Sequence, residues 1–188
     1  DIKAEGRRNR HHLSARVGLP DKRELRLTLD GGLAEEAGRK PLGTLQWSGT
    51  LAELRLSGRD STNTRAGAPP LLELAAPAAL RVGSSAQSFG PATISGPVGS
   101  LSIERLASEQ GRWQSAGQLQ QFRPQLLLRE FPSLQSWREA LGIANTQPLV
   151  LAGDWDLTLG DKPLGRAALW REGGDLLLGT LPLGLSEA

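Results

Sequence analysis

The sequence predicts an all-β chain, mainly antiparallel, with one short helix. Apolar and polar residues alternate along several segments, which is the period-2 pattern of a strand with one buried face. Glycine (23) and proline (12) are plentiful and hydrophobic residues make up only 38% of the chain, a composition typical of many short strands joined by turns. Because the segments lie close together, they favour hairpins and meanders over crossover helices.

Residues 149–160 carry the clearest strand pattern. One side is expected to hold Leu149, Leu151, Trp155, Leu157 and Leu159, with Gly153 interrupting, and the other side Asp154, Asp156 and Thr158. Shorter alternating segments predict strands at 23–30, 44–48, 53–58 and 99–106. Clusters of turn formers predict turns at 30–32, 48–50, 96–97 and 173–174. Together these segments predict an antiparallel sheet.

Residues 133–142 have helical spacing instead. Leu134, Trp137 and Leu141 recur three and four residues apart. Ser133 can cap the amino end, and the glycine at the other end can terminate the helix. We expect this helix to pack as a lid over one end of the sheet, the alternative being a helix that binds a partner.

The rest of the chain has no convincing domain boundary. Residues 1–22 begin as a polar stretch and are predicted to be a poorly ordered leader, frayed over the first dozen residues, or an edge of the sheet. Residues 59–70 are predicted to be a loop, and 23–188 a single continuous sheet segment. With Asp1 in first position and no Met, we expect the chain to be a fragment of a larger protein.

The residues that most enzymes need are scarce. Cysteine is absent, which removes disulfides, thiolate catalysis and the usual zinc-finger ligands. The two histidines, His11 and His12, lie in the polar leader, where no carboxylate and nucleophile are expected to meet them. Signature loops for phosphate binding, zinc hydrolysis and nucleophile elbows are missing. We therefore expect no enzymatic activity and no cofactor.

Asp154 and Asp156 alternate on the same side of a predicted strand. Paired carboxylates of this kind can hold a cation or act in catalysis. The simpler interpretation is that both face solvent and that Arg166 or Arg171 on the next strand offsets their charge. We favour this interpretation and expect no metal site.

The charge balance selects no partner. A formal charge of +2 and a sequence pI near 9.5 suit anionic lipid headgroups or nucleic acid equally. The basic run 7–12 has no interleaved aromatic residues, so we expect no nucleic-acid binding. Five Trp, no Tyr and many Leu leave an almost purely hydrocarbon apolar side, which suits a packed core or a groove for an apolar ligand.

Several short sequence segments along the chain resemble one protein family. They lie at 43–58, 74–94 and 111–122, and most specifically at Gly153 to Asp156 followed by Arg171 to Leu176. In this order they resemble the periplasmic body of the TamB family, the inner-membrane subunit of the translocation and assembly module. The likeness extends more loosely to the AsmA-like proteins of the bridge-like lipid-transfer superfamily. It covers roughly residues 25–185.

This resemblance implies an elongated curled sheet, or β-taco, around a hydrophobic groove that crosses the periplasm of a Gram-negative bacterium. The full-length protein would be anchored in the inner membrane and would work with the outer-membrane barrel TamA. The implied activities are phospholipid transport between the two membranes and outer-membrane protein assembly, with nascent outer-membrane proteins as further partners. The candidate groove-lining residues, which would contact phospholipid acyl chains, are Leu45, Trp47, Leu54, Leu56, Leu101, Ile103, Trp113, Leu149, Leu151, Trp155, Leu157 and Leu159.

Two alternatives use the same predicted strands differently. In one, exposed sheet edges dock nascent outer-membrane strands and no lipid is transported. In the other, the fragment is a purely structural β-sandwich with a sealed core. An apolar side that is open rather than self-filled would distinguish the groove from the sandwich.

Overall fold

The chain folds as antiparallel sheet with one short helix, as predicted. The computed structural model describes residues 1–19, 23–35, 45–57, 69–131, 149–174, 176–178 and 181–183. Within them, twelve strands form one curled sheet and two short strands pair separately. No helix in this part of the chain is long and apolar enough to cross a membrane.

The elements follow one another in the order of the chain. The strands are β1 (Ile2–Arg7), β2 (Arg10–Leu19), β3 (Arg23–Glu35), β4 (Leu45–Leu56), β5 (Leu72–Leu74), β6 (Ala78–Val82), β7 (Ala86–Phe89), β8 (Ala92–Gly96), β9 (Gly99–Glu109), β10 (Arg112–Phe122), β11 (Val150–Leu159), β12 (Leu164–Gly173), β13 (Leu176–Leu178) and β14 (Leu181–Leu183). The helix α1 (Pro124–Glu130) follows β10 directly.

The main sheet runs β1-β2-β3-β4-β5-β8-β9-β10-β11-β12, with antiparallel pairing throughout. Two short strand pairs share the space between the long strands β4 and β9. The strands β5 and β8 connect them at one end, and β6 and β7 connect them at the other. Strands β1 and β12 therefore form the two outer edges of the sheet.

The predicted strands are present, but two predicted turns are wrong. Residues 30–32 lie inside β3, and 48–50 lie inside β4, so the expected strands 44–48 and 53–58 are one strand. Gly31 and Gly49 are directly opposed, and the indole of Trp47 packs so closely that a Cβ at Gly31 would meet it at 2.6 Å. These glycines permit close packing within the strands and do not bend them.

The first residues of the chain form a hairpin at the edge of the sheet, so they are not frayed. Strand β2 pairs with β3 along its length, and β1 adds outside it. The side chains that share the apolar side with β3 are His11, Leu13, Ala15, Val17 and Leu19. Histidine and alanine hide this alternation, because only three of the five positions carry large apolar side chains.

The predicted helix 133–142 lies outside the described residues. The helix α1 comes earlier and begins with Pro124, a residue suited to the first turn because it has no backbone N–H. Arg123 N donates to the Val98 carbonyl at 2.7 Å, which ties the start of α1 to the β8–β9 turn. Seven residues are too few to show helical periodicity in the sequence.

Most of the buried side chains fall into two groups, with Ala116 on β10 and Ala152 on β11 as the exceptions. Leu51, Ala78 and Ala92 lie within the sheet, where β4, β6 and β8 approach each other. The second group lies where β10 runs into α1, which we call the helix end of the sheet, and it comprises Arg23, Leu71, Val98, Leu128 and Leu149. The opposite end, where the β1–β2 hairpin turns, is called the hairpin end.

Candidate functional site

The strand register places the candidate lining residues on a common side of the sheet. Directly opposed residues of an antiparallel pair lie on the same face. We call this side the apolar face, and its larger described members include Leu25, Leu27, Leu29, Leu33, Trp47, Leu54, Leu56, Leu80, Val82, Ile94, Leu101, Ile103, Trp113, Leu119, Leu151, Trp155, Leu157 and Leu159. Ten of the twelve candidates are therefore together, whereas Leu45 is placed only by its backbone pairing with Glu35 and Leu149 precedes β11.

Most side chains of the apolar face are half-buried. Six of its large side chains are more exposed still, between 41% and 71%: Ile2, Val17, Val82, Trp113, Leu159 and Leu169. The side chains of a closed sandwich interior pack to the density of a protein core and leave little area to water. The part of the apolar face described in the structure is therefore only partly covered.

The helix end is where the apolar face is covered. Leu149 is only 2% exposed there, and the Gln125 amide pairs with its backbone, donating to Leu149 O at 3.1 Å and accepting from Leu149 N at 2.7 Å. After α1, the ring of Phe131 lies 4.3 Å from the guanidinium carbon of Arg23 at the start of β3. Such a cation–π contact links α1 to a strand far from it in the sheet order.

The hairpin end has a continuous row of residues across six strands. We call this the end row, and it consists of Trp47, Val82, Gln87, Ser108, Trp113 and Leu159 in successive register. All six belong to the apolar face, and Val82, Trp113 and Leu159 are exposed. Half of the six exposed side chains of this face therefore lie in one row at the end opposite α1, whereas Val17 and Leu169 lie nearer the helix end.

Two tryptophans are held over glycines in similar ways. Trp47 covers Gly31 on the neighbouring strand, and its Nε1–H donates to Nε2 of His11 at 2.6 Å. Trp155 covers Gly117, and its Nε1–H donates to the Ser115 hydroxyl at 2.8 Å. Each indole thereby satisfies its only donor while its ring stays on the apolar face.

His11 is the residue that sequence reasoning most misjudged. It lies in β2 with its ring centroid 6.1 Å from that of Trp47, not in a disordered leader. His12, on the other side of the same strand, lies 2.7 Å from a carboxylate oxygen of Asp30. The alternation of residues 11–19 is the one signal that would have placed both histidines in a strand.

The opposite side, here called the polar face, carries ion pairs. Asp154 lies 3.8 Å from Arg166, as expected, whereas Asp156 pairs with Arg105 at 3.4 Å. Arg171 instead donates to the carbonyl of Gly174 at 2.8 Å. The described residues contain no group of three or more metal-ligating side chains. The two aspartates are therefore placed as members of a charge-balanced surface.

Glu24 on β3 is another member of this surface. A hydrogen bond from Arg26 lowers the pKa of Glu24, and the positive charges of Arg26 and Arg16 act in the same direction. The carboxylate stays charged to lower pH than usual, so these pairs persist through mildly acidic conditions. Exposed pairs of this kind contribute little to stability and mainly balance charge.

Comparison with known proteins adds no family assignment. No family model, curated protein or solved structure matches this chain.

Proposed function

We propose that this chain is a segment of a hydrophobic groove that carries phospholipid between the inner and outer membranes as part of a translocation and assembly module of the TamB type. In this role it would also support outer-membrane protein assembly. The observation that carries the proposal is the partly exposed apolar face. Its register continues across the sheet from β2 to β12.

The chemistry of this face suits acyl chains. Leucine, tryptophan and isoleucine offer dispersion contacts but almost no hydrogen bonds, since the indole donors of Trp47 and Trp155 are already used. Moving an acyl chain out of water is worth roughly 0.8 kcal/mol per CH₂. Transport along such a face requires no chemical step.

The dimensions also suit a lipid. Strand β10 has 11 residues and spans roughly 36 Å when extended. The hydrocarbon core of a bilayer is about 30 Å thick, so the acyl chains of one leaflet extend about 15 Å. Along one strand, the apolar face is therefore longer than a single acyl chain, as a continuous path for lipid requires.

Photo-crosslinking tests this proposal directly. A photoreactive residue at Leu101 or Leu157, both on the apolar face, is expected to capture phospholipid in the presence of lipid vesicles. The same group at Ser102 or Asp156, on the polar face, is the matched control, because these positions lie next to Leu101 and Leu157 in β9 and β11. The measurement is lipid recovered with the protein by mass spectrometry.

If the apolar positions capture at least about tenfold more lipid than the polar positions, the groove is supported. The reason is that only the apolar face offers an acyl chain a favourable place away from water. Equal capture from Ser102 and Asp156 would contradict it.

A second candidate function is strand docking by β-augmentation, which the free edges of the sheet favour. Asp1 and Arg16 exchange both of their backbone hydrogen bonds, each at 2.8 Å. In an antiparallel ladder such pairs alternate with pairs whose N–H and C=O groups point away from each other. Ile2 and Ala4 therefore direct their backbone groups outward, toward an incoming strand.

Ala4→Pro separates the two functions. Proline removes an outward N–H without breaking a bond between β1 and β2, so the fold should be retained. If strand docking is the working activity, this variant is expected to lose binding of unfolded outer-membrane strands in a pull-down, whereas Leu157→Lys is tolerated. Loss of lipid capture in Leu157→Lys, with lipid capture and strand binding both unchanged in Ala4→Pro, would instead favour lipid transport.

A further inference from the structure

The turn between β1 and β2 concentrates positive charge. Arg7, Arg8 and Arg10 are all exposed, and within the described part of the chain none of them forms an ion pair. We call Arg7–Arg10 the hairpin tip. On the polar face, by contrast, the arginines that pair with carboxylates are Arg16, Arg26, Arg105 and Arg166. The hairpin tip is therefore a cluster of three arginines without a carboxylate partner among the described residues.

The hairpin tip lies directly beside the exposed end of the apolar face. The carbonyl of Arg8 accepts a hydrogen bond from the Leu33 N–H at 2.8 Å, and Leu33 is opposite Trp47 in the register. Trp47 begins the end row and is bonded to His11, the residue after Arg10. The hairpin tip therefore lies beside the first residue of the end row.

A cleft of about 790 Å³ opens at the hairpin tip, with Arg10, His11 and His12 among its lining residues. This volume falls in the range of ligand sites. Two carboxylates, Glu5 and Asp30, also line the cleft, but Asp30 is engaged by His12. Of the three arginines only Arg10 lines the cleft, and together the three exceed the two carboxylates by one positive charge.

We propose that the hairpin tip binds the phosphate of an anionic phospholipid headgroup while the acyl chains of the same lipid lie on the apolar face from the end row inward. This inference rests on the proposed function and adds a headgroup preference and a point of entry. Arginine is the residue best suited to phosphate, because its planar guanidinium donates two parallel hydrogen bonds.

Nucleic acid carries the same phosphate chemistry, and the end row decides between the two. The end row begins at Trp47 beside the cations, and Val82, directly opposite Trp47 on β6, exposes apolar area. Acyl chains would cover that area, whereas a nucleic-acid backbone has no apolar chain to place there. The observations therefore favour a lipid headgroup.

Vesicle binding tests the headgroup site. The triple variant Arg7→Gln, Arg8→Gln and Arg10→Gln is compared with a matched variant, Arg16→Gln, Arg26→Gln and Arg105→Gln, which removes three arginines from the polar face. Both change the formal charge from +2 to −1, since three unit charges are lost. Co-sedimentation is measured with phosphatidylglycerol vesicles and with phosphatidylcholine vesicles, in low and in physiological salt.

We expect the wild-type chain to prefer phosphatidylglycerol, and the tip variant to lose this binding by roughly tenfold or more while the matched variant keeps it. Equal losses in both variants, or equal binding to the two vesicle types, would overturn the headgroup site. So would retention of duplex DNA or capture of inorganic phosphate with no binding to vesicles. Lipid capture at Leu101 and Leu157 is a separate measurement. The proposal of a groove can therefore be supported even if the proposal of a headgroup site is contradicted.

Discussion

Gly31→Val is expected to lower the free energy of unfolding by about 3 kcal/mol, because the added side chain has no space in the sheet. A Cβ at this position would lie 2.5 Å from the Ser48 carbonyl oxygen, 2.6 Å from the Trp47 ring and 2.8 Å from the Gly49 Cα. Two of these atoms belong to the backbone of β4, which is held in register by strands on both sides. The strain cannot be relieved by turning one side chain.

The displacement also reaches the candidate site. If the indole of Trp47 moves away from β3, its hydrogen bond to His11 at 2.6 Å is lost, and the first position of the end row is disturbed. Gly31→Val is therefore expected to reduce lipid capture by a photoreactive group near the hairpin end more than capture at Leu101, which lies farther along the face.

Gly18→Val is the matched control, since Gly18 also lies inside a strand. Nothing lies within 4 Å of a Cβ there. Valine suits a strand better than glycine does, so this variant is expected to be neutral or slightly stabilising. Urea denaturation followed by circular dichroism measures both variants. A loss at Gly18 as large as that at Gly31 would mean that glycine itself, and not the space under Trp47, is what matters.

The same glycines show what alternation could and could not predict. Leucine and tryptophan positions in β3, β4, β9 and β11 follow from the period-2 pattern, because a half-buried strand imposes it locally. Gly31 and Gly49 looked like turn residues, since glycine's backbone freedom is its commonest use. Their role depends on an indole from a neighbouring strand, and that contact is set by the register, which a single sequence does not display.

The candidate site also has features that the sequence could predict and features that it could not. Membership of the apolar face could be predicted for Leu101, Ile103 and Leu157, because each lies in a clean alternation. The bond between His11 and Trp47 could not, because the two residues are 36 positions apart and meet across β3. The partial exposure of this face could not be predicted either. It depends on how the sheet curls and on what covers each end.

Leu149→Ala is expected to lower the free energy of unfolding by about 3 kcal/mol, through lost burial and the cavity left behind. Leu149 is 2% exposed and lies with Leu128 and Val98 at the helix end. The substitution keeps the backbone that pairs with Gln125, so the change isolates the side chain. We therefore expect α1 to stay attached while the packing beneath it loosens. A lower denaturant midpoint, with an unchanged dependence of the unfolding free energy on denaturant concentration, would show that the variant is less stable but still unfolds cooperatively.

Leu159→Ala removes the same atoms from the other end of β11. Leu159 is 49% exposed, so little transfer free energy is lost and no closed cavity forms, and we expect a change below about 1 kcal/mol. For lipid capture we expect the reverse: Leu159→Ala reduces it more than Leu149→Ala does, because Leu159 belongs to the end row and Leu149 is already covered by the protein. Equal stability losses would mean that the hairpin end is as sealed as the helix end, and a sealed sandwich would then describe the chain better than a groove.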